Sequence, residues 1–109
     1  MAGLDDSGGP EGSVETSLDE TGTPVVRLSG EIDMANADSI AAAIEPIMAK
    51  GPERLIVDAS GLDFMDSSGI ALLLRWARDS VRVELRHPSR IIRRTVESMG
   101  LTDVLHIEP

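Results

Sequence analysis

Leu55-Ile56-Val57-Asp58, followed by Leu62-Asp63-Phe64-Met65-Asp66-Ser67-Ser68-Gly69-Ile70, is the stretch that decides the fold of this chain. Three consecutive apolar residues between Arg54 and Asp58 predict a short central strand covered on both faces. Ser60-Gly61 then reads as a turn, with Asp58 as a turn or cap residue. Asp66, Ser67 and Ser68 stand directly before an apolar stripe at helical spacing, Ile70, Leu73, Leu74 and Ala77, with Arg75, Arg78 and Asp79 facing outward. Any of the three could cap that helix by accepting from its first unpaired N–H groups. A serine hydroxyl at a helix start is also a place for phosphate, because the helix dipole favours negative charge there. Phosphate would add about −1.5 to −2 charges beside Asp63 and Asp66, so it could turn a binding surface off. On the residues alone, cap and switch both stand.

Working outward toward the N-terminus, Met34 to Lys50 is predicted as a helix. Ala37, Ile40, Ile44, Ile47 and Met48 form its apolar stripe, Lys50-Gly51 is its stop signal, and Pro46 is expected to kink or split its last turns. Before it, Val14 and Leu18 mark a weak strand and Pro24 to Leu28 a better one ending at Ser29-Gly30, joined through Gly22 as a hairpin. Residues 1–12 are Gly-rich and acidic, and are expected to be a disordered tail ahead of a single domain over 13–109. Toward the C-terminus, Ser80 to Leu85 alternates as a strand. Pro88 suits the first turn of a third helix, with Ile91, Ile92, Val96 and Met99 as its buried stripe and Gly100 as its end. Val104 to Ile107 is a short edge strand or a helical turn. Trp76 is expected to be partly exposed beside the second helix's stripe, as rim packing or a partner anchor. The order β-β-α-β-α-β-α predicts an α/β domain: a mixed β-sheet of about four to five strands, with helices packed mainly on one face.

Composition excludes several functions. The 109 residues fit one domain and include no cysteine, so disulfides and thiolate metal sites are excluded. No apolar run reaches the roughly 20 residues of a membrane span, and no signal-peptide core is visible, so a soluble cytoplasmic protein is expected. The net charge of −9 disfavours nucleic acid and anionic membrane as partners. Residues 1–66 carry 14 acidic and 3 basic side chains, residues 67–109 carry 5 and 7, so the first half suits a basic partner. Asp33 and Asp66 both fall where a strand gives way to a helix, so they could share one rim of the sheet. As a general acid/base pair or magnesium site they lack a neighbouring histidine, and neither His87 nor His106 has a second ligand at metal spacing. Neither a GxGxxG nor a Walker-type loop is present, and no metal or cofactor is expected. Arg90, Arg93 and Arg94 read as a solvated helix face or a salt-bridging partner surface.

Gly30-Glu31-Ile32-Asp33, the Leu55-to-Asp58 strand and Phe64-Met65-Asp66-Ser67-Ser68-Gly69, at this spacing, resemble the STAS-domain proteins, and among them the stand-alone bacterial anti-sigma factor antagonists. The resemblance spans about residues 13–107. It implies a non-catalytic regulator that binds, when unphosphorylated, an anti-sigma factor serine kinase with a histidine-kinase-type ATPase fold, and so frees a sigma factor. It further implies that the kinase phosphorylates Ser67 and is thereby released, and that a metal-dependent serine phosphatase restores binding. Asp33, Asp66, Ser68 and Gly69 would form the partner-binding rim, and a monomer would suffice. The chain departs from the family pattern in three places: Ile70-Ala71 stands where Leu-Gly is usual, Pro46 lies within the first helix, and the acidic tail is additional. The alternative use of such a domain is as a scaffold or accessory subunit of a signalling complex or membrane lipid transporter, indifferent to Ser67.

Overall fold

A computed structural model describes residues 12–78 and 82–108. The expected tail over 1–12 therefore falls, except for Gly12, outside the described residues, as do Asp79, Ser80 and Val81. Eight elements follow in order: β1 (Ser13–Leu18), β2 (Pro24–Ile32), α1 (Ala37–Met48), β3 (Arg54–Met65), α2 (Ser67–Arg78), β4 (Arg82–Arg86), α3 (Arg90–Ser98) and β5 (Leu105–Glu108). They build one five-stranded sheet in the order β1-β2-β3-β4-β5. The β1–β2 hairpin is antiparallel and every later pairing is parallel, so the sheet is mixed as expected.

This strand order explains why the helices share a face. Each crossover from β2 to β5 steps the same way along the sheet, and right-handed crossovers that all step one way place every helix on one side. Burial agrees with this placement. Val26, Leu28, Leu55, Val57, Val83, Leu85 and Leu105 join Ile40, Ile44, Ile70, Leu73, Ile92 and Val96 from the helices in one core. Most alternate positions of the central strands carry charge instead, with Ile56 as a buried apolar exception. The register sets Glu15, Arg27, Asp58, Arg86 and Glu108 side by side across all five strands, alternating in sign; opposite charges in directly paired positions favour that register. On the same face Glu84, its side chain 5% exposed, accepts from Arg54 at 2.9 Å, Arg82 at 3.1 Å and Arg86 at 3.4 Å. Hydrogen bonding from Arg54 comes first among the causes that hold its carboxyl down at about 2.

Several expectations need correction. The strand expected to stop at Asp58 runs on to Met65, and Ser60-Gly61 lies within it rather than in a turn. Two register shifts against β2, between Arg27 and Ser29 and between Gly30 and Glu31, absorb extra residues of β3. These bulges place Ala59, Leu62 and Met65, three residues apart rather than two, on the buried side. The Asp58 carboxylate accepts from the Ser60 N–H at 2.9 Å, a local turn built inside the strand. Likewise β2 continues past Ser29-Gly30 to Ile32. Pro46 neither splits nor ends α1, which runs unbroken to Met48. Only the carbonyl of Ala42 loses its intrahelical partner to the missing N–H, and Ala42 is exposed, so water can serve it. Trp76 is 3% exposed and belongs to the core, against the expected partial exposure. It lies four residues beyond Leu72 and three beyond Leu73, on the buried stripe of α2. Ile91 and Met99 are exposed rather than buried, because only Ile92 and Val96 of the nine-residue α3 face the sheet. Pro88 precedes that helix, whose cap is Ser89 accepting from the Ile92 N–H at 3.2 Å.

Candidate functional site

The two junctions singled out in the sequence meet at one end of the sheet. Ile32, the last residue of β2, is paired with Met65, the last residue of β3. The Asp66 N–H donates to the Ile32 carbonyl at 3.1 Å, carrying the pairing one residue beyond β3. Asp33 and Asp66 therefore stand on one rim.

Asp66 caps α2. Its carboxylate accepts from the Ser68 N–H at 2.8 Å, and its carbonyl accepts from Gly69 at 3.0 Å and Ile70 at 3.2 Å. This resolves the choice among the three capping candidates. Ser67 is the first helical residue, is exposed, and its hydroxyl makes no hydrogen bond among the described residues. Ser68 is half-buried and lines an open groove of about 280 Å³ between α1 and α2, with Met34, Ala37, Ala41, Ala71 and Leu72 on its walls and Asp38 and Arg75 beside them. Ala71 is exposed in that groove, so the methyl that departs from the family pattern faces outward and not into the core.

Gly69 is buried and faces inward. A Cβ there would lie 2.7 Å from Met65 Cβ, 3.2 Å from Met65 Sδ and 3.3 Å from Ile32 Cγ2. The missing side chain lets the first turn of α2 sit directly on the strand ends, which fixes where Ser67 projects. Asp33 is half-buried and closes its own loop: its carboxylate accepts from the Ala35 N–H at 2.9 Å and its carbonyl from the Ala37 N–H at 2.9 Å. Both rim carboxylates thus serve backbone groups. Among the described residues no three histidine, aspartate or glutamate side chains gather as metal ligands.

Three features of this rim are absent from the sequence reading. Met34 is 79% exposed and Phe64 46% exposed, both beside the junctions; their exposure depends on the loop and the second bulge. Asn36 bonds to the strand exit through both ends of its amide. Its position falls inside the helix expected over Met34 to Lys50, whereas α1 begins only at Ala37.

Comparison with known proteins follows the same outline. The family model described as "Mlab, STAS domain" matches residues 16–107. The anti-sigma-F factor antagonist RsfB of Mycobacterium tuberculosis is 30% identical over 95 residues, covering 84% of this chain and 78% of that protein. An anti-sigma factor antagonist from Mycobacterium paratuberculosis superposes with a TM-score of 0.80 at 26% identity, covering 92% of this chain and 87% of that one. The anti-sigma factor antagonist SpoIIAA from Bacillus, at 28% identity, superposes in its unphosphorylated form with a TM-score of 0.74, covering 89% of both chains. Its phosphorylated form superposes with a TM-score of 0.69, covering 89% of this chain and 92% of that one. With its sequence and fold matched in this way over most of its length, the chain belongs to the STAS-domain family of anti-sigma factor antagonists.

Proposed function

We propose that this protein is a phosphorylation-controlled partner switch: unphosphorylated, it binds an anti-sigma factor serine kinase with a histidine-kinase-type ATPase fold and frees a sigma factor. Ser67 is the phosphoacceptor, and a metal-dependent serine phosphatase reverses its modification. Catalysis and ATP binding belong to the partner, and the protein works as a cytoplasmic monomer. The observation that carries this reading is the division of labour at the start of α2. Asp66 holds the cap, which leaves the exposed Ser67 hydroxyl without a structural duty. That a relative of the same fold exists in phosphorylated and unphosphorylated forms supports it.

The chemistry of release is electrostatic. A phosphate on Ser67 adds about −1.5 to −2 charges next to Asp66, with Asp63 close in sequence. No cation is paired with Asp63 or Asp66 among the described residues. A partner fitted to the neutral hydroxyl would then meet a dianion that it must desolvate or repel, a cost of several kcal/mol at a buried contact. Asp33, Asp66 and Ser68 form the docking rim, and Gly69 shapes it from beneath.

The test is paired affinity capture from host lysate on wild type and Ser67→Asp, followed by binding measurements with the purified partner. Wild type and Ser67→Ala should retain an ATPase-fold anti-sigma factor, and Ser67→Asp should lose it. Incubation with that partner and ATP should put one phosphate on wild type and none on Ser67→Ala. Equal binding of the kinase by Ser67→Asp and wild type would sink the switch. Retention by both baits of the same non-kinase complex would favour the scaffold or transporter-subunit reading.

A further inference from the structure

We propose that Asn36 is a positioning residue for the docking rim, holding the β2–α1 loop so that Asp33 and Met34 are presented beside Ser67 and Ser68; this rests on the partner-switch reading above. Asn36 occupies the cap position of α1, where an asparagine ordinarily reaches forward to a first-turn N–H. It makes no such bond. Its amide reaches backward instead: Nδ2 donates to the Glu31 carbonyl at 2.9 Å, and Oδ1 accepts from the Asp33 N–H at 3.0 Å. The Asp33 carbonyl in turn accepts from the Asn36 N–H at 3.2 Å and the Ala37 N–H at 2.9 Å. The favoured capping contact is thus given up for bonds that close the loop on itself.

A segment distant in sequence converges on the same amide. A Cβ on Gly12 would lie 2.6 Å from the Glu31 carbonyl oxygen and 2.9 Å from Asn36 Nδ2. The chain entering β1 therefore passes against the clamp, at the rim where Asp66 bonds to Ile32. What the clamp presents is Met34, 79% exposed and lining the groove that Ser68 also lines. An apolar side chain left in water gains most on being covered. A loop already closed spares the partner the entropy of ordering it. The role belongs to association and not to phosphoryl transfer, because Asn36 approaches the rim through backbone groups of Glu31 and Asp33, not through Ser67.

The experiment uses full-length protein and the purified anti-sigma factor kinase retained by wild type. Asn36→Ala removes two hydrogen bonds and is expected to weaken binding, and to raise the kinase's KM for this protein, by about tenfold. The kcat should stay within about twofold, because no reacting atom is touched. Gly12→Ala pushes on the same amide from the other side and should move KM the same way. Amide exchange should quicken at Asp33 in Asn36→Ala and stay unchanged at Val83 and Leu85. Unchanged Kd and KM in both variants overturn the proposal, and so does a loss of binding matched by faster exchange at Val83 and Leu85. If wild type binds no anti-sigma factor, the partner-switch reading fails and this role with it. If wild type binds and Asn36→Ala binds equally, the positioning role alone fails.

Discussion

Ser67 and Asp66 are adjacent, yet only Asp66 has a structural duty among the described residues, and substitution should separate them. Ser67→Ala removes a hydroxyl with no partner among the described residues, so urea denaturation should show a change within about 0.5 kcal/mol. Asp66→Ala removes the cap of α2 and should cost about 1 kcal/mol. If Ser67→Ala is the more destabilising, the hydroxyl is structural after all. At Gly69 the added methyl of alanine would meet Met65 Cβ at 2.7 Å. Backing away means shifting the first turn of α2, so Gly69→Ala should cost about 1–3 kcal/mol, read from the same denaturation curves. His87 shows a different strain, as the one non-glycine described residue with positive φ, at 57°. Relief of the side-chain clash should outweigh the greater unfolded-state freedom of glycine, so His87→Gly is expected to be neutral or to raise stability by up to about 1 kcal/mol.

For the elements, the informative cases are those where local preference and tertiary placement disagree. α1 keeps a proline two residues before its end because that position is exposed and only the carbonyl of Ala42 is deprived of a bond. Pro46→Ala restores that bond and should raise the thermal midpoint, by an amount matching about 1–2 kcal/mol, less than the roughly 3 kcal/mol of a fully interior proline. A fall in the midpoint would mean that the proline's fixed φ, rather than the missing bond, dominates at this site. β3 shows the reverse disagreement. Its alternation breaks at Ser60-Gly61 and again at Asp63, which on sequence reads as a turn. The strand continues because bulges against β2 bring Leu62 and Met65 back to the core side. This extension carries Asp66 and Ser67 to the level of Asp33.

At the scale of the whole molecule, the face without helices is held by charge as well as by hydrogen bonding. Glu84 is its anchor, set among Arg54, Arg82 and Arg86. The three arginines stay partly in water, so losing Glu84 does not strand them as buried ions. Glu84→Gln is therefore expected to cost about 1–2 kcal/mol, less than the 3–5 kcal/mol of breaking a fully buried pair. The folded carboxyl is held at about 2, below the 4.5 of the free side chain. Its contribution is thus complete above the unfolded value and is lost as pH falls from 4.5 toward 2. Measured between pH 6 and pH 3, wild type should lose more stability than Glu84→Gln over that window. Parallel curves for the two proteins would assign acid sensitivity to other carboxylates.

Sequence alone determined the order of the first seven elements, the mixed sheet and the one-sided helix layer, and it set Asp33 and Asp66 at strand-to-helix junctions. These follow from periodicity, and from the rule that strands separated by helices pair in parallel through right-handed crossovers. The family was legible too, in blocks around Glu31-Ile32-Asp33 and Asp66-Ser67-Ser68-Gly69 whose spacing the fold needs. Tertiary structure alone decided which of three adjacent residues caps α2, that Trp76 is core, that Gly69 packs beneath the rim, and that Met34 and Asn36 stand beside it. For Trp76, Gly69 and Met34 the deciding quantity is a distance between segments far apart in the chain, or the rotation of a side chain on a packed helix; for the cap and for Asn36 it is which nearby backbone group the side chain reaches once those segments are in place. Strand register and bulges set those distances, and periodicity along a single segment carries no information about them.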